Sequence, residues 1–147
     1  MASKVFKLEQ VLVYRGEMQK LRKQEFATAK QGFEHAHDEL LRKEDHVKEL
    51  TKEFYNQQQH LECIDDMRMY SDFFARKREE IKNQKERVEH LDLVLNERRE
   101  DLLEATKDRK VLESLKQKKA EEFRQEMNQK ERNFLDEISI QKKVETA

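Results

Sequence analysis

Apolar side chains recur every seven residues along nearly the whole chain, and no proline interrupts them. From Val5 the series runs Val5, Leu12, Gln19, Phe26, Phe33, Leu40, Val47, Phe54 and Leu61, with Gln19 its one polar member. From Met67 it restarts as Met67, Phe74, Ile81, Val88, Leu95 and Leu102, without exception. A seven-residue repeat held this long gives a helix an apolar seam that another helix must cover. Composition points the same way. Two glycines and no proline supply few turns, which excludes a β-rich architecture and a glycine-built nucleotide pocket. Charged residues reach 43% of the chain, but 31 basic side chains offset 32 acidic ones. That balance fits long helices with salt-bridged, solvated faces rather than a disordered chain.

A second register, three residues after the first, is mixed: Leu8, Arg15, Arg22, Ala29, Ala36, Lys43, Leu50 and Gln57. Its counterpart after Met67 holds Tyr70, Leu91, Ala105 and Leu112 among Lys77, Gln84 and Arg98. Each helix thus has one strong seam and one diluted seam. The repeat breaks between Leu61 and Met67, across the polar segment 56–66. This predicts a helix over about 4–56, a turn over about 57–65 with Asp65 as the next N-cap, and a helix over about 66–143. The expected fold is all-α, a single domain over 1–147: an antiparallel two-helix coiled-coil hairpin with a longer second helix. A bend near residue 62 sets Val5 opposite a residue near 119, so the chain past about 120 overhangs. The apolar phase slips after Leu112 and Leu115, then continues through Ala120, Met127 and Phe134, as a stutter does. The overhang still carries Phe123, Met127, Phe134, Leu135 and Ile138, apolar groups that read as an interface.

Charge and cysteine content narrow the function classes. Residues 1–60 carry 11 basic and 10 acidic groups, residues 61–120 carry 15 of each, and residues 121–147 carry 5 and 7. No stretch offers the cationic excess that phosphate backbones require, so nucleic acid is not an expected partner. The basic runs 107–110 and 116–119 are interrupted or flanked by acids and read as solvated faces. One cysteine, Cys63, cannot form an intramolecular disulfide, which fits a reducing, cytoplasmic compartment. No apolar run approaches a membrane span, so membrane association is expected only through partners. A two-helix hairpin has no sheltered interior for catalysis, and no enzymatic activity or cofactor is expected. His60 and Cys63 stand at i,i+3, but two ligands are half of a structural zinc site, and the exposed-turn reading is preferred. Cys63 has no orienting neighbour that would make it a nucleophile.

The aromatic residues divide into two sets. Phe26, Phe33, Phe54 and Phe74 stand on the seams and read as core. Tyr55, Tyr70 and Phe73 lie at or beside seam positions and gather at the turn end once the chain folds back, where they read either as tip packing or as a recognition surface.

The opening 6–12 (FKLEQVL) with Arg15, and the segment 67–74 (MRMYSDFF), resemble the flagellar export protein FliJ family. So do Glu104-Ala105, the segment 108–113 (DRKVLE), Lys130-Glu131 and the segment 135–138 (LDEI). The resemblance runs in order along nearly the whole chain. It implies an antiparallel coiled coil similar to the gamma subunit of rotary ATPases, working in the cytoplasmic part of the flagellar type III export apparatus. The implied partners are the export ATPase FliI, the export-gate membrane protein FlhA and export chaperones. The implied location is peripheral, at the cytoplasmic face of the inner membrane at the flagellar base. Carried over by position, Tyr55, Tyr70 and Phe73 resemble the family's gate-binding aromatic surface, and Phe123, Met127, Phe134, Leu135 and Ile138 are expected to contact the ATPase. Lys77 and Glu80 depart from that pattern, standing where it is apolar or small. The alternatives are a homologous stalk protein of a virulence type III secretion system and a parallel dimeric coiled-coil scaffold.

Overall fold

In the computed structural model, which describes residues 5–60 and 64–146, two helices account for almost every residue. α1 covers Glu9–Gln57, a 3-10 turn covers Gln58–His60, and α2 covers Ile64–Thr146. The two helices pack against each other as an all-α helical hairpin, and no strand occurs among the described residues. α1 begins later than the periodicity suggests. The Glu9 amide donates to the Phe6 carbonyl at 3.1 Å, a tight turn, and the helical ladder opens with the Leu12 amide on the Leu8 carbonyl at 2.9 Å. α2 begins earlier than expected, at Ile64, so Asp65 stands in the first turn rather than at the cap. There both Asp65 and Asp66 place carboxylates at the positive end of the helix. Leu61 and Cys63 lie outside the described residues, as does Lys4, the expected first residue of α1.

The contacts divide the chain into two units, Leu21–Leu102 and a second made of Met1–Lys20 with Leu103–Ala147. Within Leu21–Leu102 the seams close on each other. Ala36, Leu40, Gln84 and Leu95 are buried, and Phe26, Phe33, Val47, Phe54, Phe74, Ile81, Val88 and Leu91 are half-buried around them. The diluted register also turns inward. The buried Gln84 amide donates to the Ala36 carbonyl at 2.8 Å and to Glu39 Oε2 at 3.4 Å. A polar group taken from water is tolerated there because it is hydrogen-bonded, and the small Ala36 lets it approach the α1 backbone. Lys85 reaches Glu44 at 3.9 Å on the rim, and the Arg99 guanidinium lies 5.8 Å above the Phe26 ring.

The unit of Met1–Lys20 and Leu103–Ala147 is built differently. Polar contacts cross it at four points: Arg15 with Asp108 at 3.3 Å, Gln19 Nε2 to Thr106 Oγ1 at 3.1 Å, Arg109 to Gln19 Oε1 at 2.7 Å, and Lys116 with Glu9 at 2.8 Å. Gln19, the one polar member of the first seam, thus pairs with Thr106 and Arg109 rather than with an apolar residue. Beyond Lys116 every described hydrogen bond and ion pair of α2 stays within the helix, including Lys119–Glu122, Arg124–Glu121 and Gln129–Asn133.

Candidate docking surfaces

Phe54 organises the first surface, inside the unit Leu21–Leu102. Its ring lies 5.1 Å from Tyr70, 5.8 Å from Phe74 and 6.1 Å from Tyr55, centroid to centroid. The fold-back brings Tyr70 onto the ring that Tyr55 flanks from its own helix, and the two tyrosines stand in unlike environments. Tyr70 is half-buried and its hydroxyl donates to Gln57 Oε1 at 3.0 Å, whereas Tyr55 is 66% exposed. Tyr70 therefore belongs partly to the packing of this end, beyond any role in recognition.

Tyr70 and Phe73 line an open groove of about 540 Å³ together with Leu50, Gln57, Met69 and Arg76, and with Asp66 and Asp72. Tyr55 is not among its walls. The groove forms because α2 sets Asp66, Met69, Tyr70, Phe73 and Arg76 at three- and four-residue steps, one helical face beside α1. Two cationic groups flank the Phe73 ring, Lys77 Nζ at 5.5 Å and Arg76 Cζ at 6.0 Å, and the His46 ring meets it edge-on at 6.4 Å. Lys77, which departs from the family pattern, also pairs with Glu80 at 3.1 Å, the second departing residue. The two departures are thus one ion pair whose ammonium rests against Phe73. Nothing in the spacing of the sequence marks Met69, which is 70% exposed on the rim of the groove.

The second surface lies on α2 in the other unit. With about 100° of turn per residue, Leu112, Phe123 and Phe134 fall within about 40° of one another. Met127 and Ile138 widen this stripe to about 80°, while Leu135 stands about 100° from Phe134, off the stripe. The apolar spacing of eleven residues between Leu112, Phe123 and Phe134 is the physical content of the phase slip, since that repeat relaxes a left-handed supercoil. Phe134 and Leu135 are 62% and 56% exposed, Met127 is exposed, and Phe123 and Ile138 are half-buried. The five expected residues therefore form a four-residue stripe plus one side chain on another flank.

Among the described residues no group of three or more His, Cys, Asp or Glu side chains could hold a metal ion. His60 is exposed at the end of the 3-10 turn, and its suggested companion Cys63 lies outside the described residues. Among the described residues no helix is long and apolar enough to cross a membrane.

The family model for the flagellar FliJ protein matches residues 3–144. No curated protein and no solved structure matches the chain. A match spanning nearly every residue of a helical hairpin with this periodicity settles the family: the chain belongs to the flagellar FliJ proteins, components of flagellar-type export.

Proposed function

We propose that this chain is a non-enzymatic coupling element of the flagellar type III export apparatus, linking the export ATPase FliI to the export-gate protein FlhA. The observation that carries the reading is the stripe Phe123, Met127, Phe134 and Ile138, apolar groups on a helix segment whose described polar contacts are all internal. Such a stripe on a soluble helix favours docking into a partner's apolar surface. By resemblance to rotary-ATPase stalks, that partner is the ATPase ring. The groove lined by Tyr70 and Phe73 supplies a second surface for the gate, with Tyr55 exposed nearby on a different face. The proposal includes binding of export chaperones, a peripheral place at the cytoplasmic face of the inner membrane, and flagellar rather than virulence secretion; the family match is what supports these. The single-domain reading belongs to the same proposal.

The test is a Phe123→Ser, Met127→Ser, Phe134→Ser variant of the full chain titrated against purified export ATPase. Loss of one well-buried aromatic contact weakens binding about tenfold or more at ~1.4 kcal/mol per decade. The variant should keep its helical content and bind the ATPase far more weakly. Equal affinity would remove the stripe from the ATPase interface.

A further inference from the structure

Among the described residues the buried ones, Ala36, Leu40, Gln84 and Leu95, all lie between residues 21 and 102. Among the described residues of the other unit none is buried, and α1 is held there by Arg15–Asp108, Gln19–Thr106, Gln19–Arg109 and Glu9–Lys116. Two of these, Arg15–Asp108 and Glu9–Lys116, are partly exposed ion pairs, which contribute little and weaken with salt, while Gln19 adds only two hydrogen bonds. Gly16, a poor helix former, sits in the same stretch, and a Cβ placed there would lie 3.9 Å from Arg109 Nε. An open notch of about 330 Å³ runs beside it, walled by Glu9, Leu12, Arg109 and Glu113. The apolar packing of this stretch stops at half-buried side chains such as Leu12, Met18, Leu112 and Leu115.

What this segment covers gives the weak hold a use. Ala105 and Leu112 are half-buried, and both fall on the stripe that Phe123, Met127, Phe134 and Ile138 continue. Ala105 lies within about 20° of Leu112 around the α2 axis. We infer that residues 9–20 of α1 form a salt-sensitive clasp over residues 105–116 of α2. It opens while residues 21–102 remain paired, and so extends the stripe from Phe123 back to Ala105. A partner seated on Phe123 to Ile138 then gains up to three more helical turns by displacing α1. This regulatory use rests on the docking reading of the stripe; the opening itself does not.

The experiment uses the full chain with Cys63→Ser and paired spin labels. Val13 and Val111 are exposed and report on the clasp; His35 and Glu89, also exposed, report on the pairing of residues 21–102. From about 0.1 M to about 1 M salt the screening length falls from about 10 Å to about 3 Å. Over that range the 13/111 pair should develop a long, broad component while the 35/89 pair stays short. Gln19→Leu with Arg109→Leu, which makes the seam apolar, should suppress the long component. A 13/111 distance that stays single and short at every salt concentration overturns the clasp, as does equal opening of both pairs. Purified export ATPase added at low salt should also raise the long component. If it binds without doing so, displacement is refuted and the clasp remains a salt-driven opening; if the stripe variant binds the ATPase as well as the parent, the docking reading fails instead.

Discussion

Phe54 shows how one ring can hold a helix pair together. It meets Tyr70 and Phe74 across the hairpin and Tyr55 on its own helix. Phe54→Ala should cost about 2 kcal/mol by lost burial and the gap left behind, whereas exposed Tyr55→Ala should cost under about 0.5 kcal/mol. Tyr70→Ala falls between, at about 1 kcal/mol, because it loses ring packing and the bond to Gln57. Urea denaturation of the three variants checks the order. Gln84 works in the opposite sense. A buried amide on a seam sets register at some cost in stability, so Gln84→Leu should raise stability by about 1 kcal/mol. The register should loosen with it, seen as a broader distance between labels at His35 and Glu89. The inward turn of Gln84, Lys77 and Gln19 was not legible in the sequence, because periodicity registers apolar residues only. A polar side chain at a seam position looks like dilution until its partner across the pair is known.

At the scale of the element, the heptads made the helices and their pairing legible, since eight of nine and then six of six seam positions are apolar. The helix ends were less so. α1 opens through the Phe6–Glu9 turn and α2 already includes Ile64, details set by local hydrogen bonds that leave no periodic trace. The phase slip after Leu112 was visible, but its meaning, an eleven-residue spacing that keeps Phe123 and Phe134 on the Leu112 face and leaves Leu135 off it, required α2 to continue as a helix. Helix propensity offers a separate test. Neither glycine has positive φ, and a Cβ at Gly32 meets nothing within 4 Å. Gly32→Ala should therefore add about 0.5–1 kcal/mol of stability, read from the denaturation midpoint. Gly16→Ala should slow opening of residues 9–20, since the Arg109 side chain leaves room for the methyl group.

For the whole molecule, the hairpin is what brings residues far apart in sequence side by side. Along one continuous helix His35 and Glu89 would stand about 80 Å apart at ~1.5 Å per residue, whereas pairing of the two helices brings them within roughly 20 Å, labels included. The candidate surfaces were partly legible: Tyr70 and Phe73 line the groove as a pair, but Tyr55 does not, and Met69 carried no signal in the spacing. Coupling requires that each partner use its own residues. The most direct measurement is the affinity of the full chain for purified export ATPase and for the cytoplasmic part of the export gate, repeated with Phe73→Ala and with Phe123→Ser, Phe134→Ser. Phe73→Ala should weaken gate binding and spare the ATPase, and the stripe variant should do the reverse, each by about tenfold or more. Equal loss of both partners in either variant, or no loss in both, would contradict coupling through separate residues.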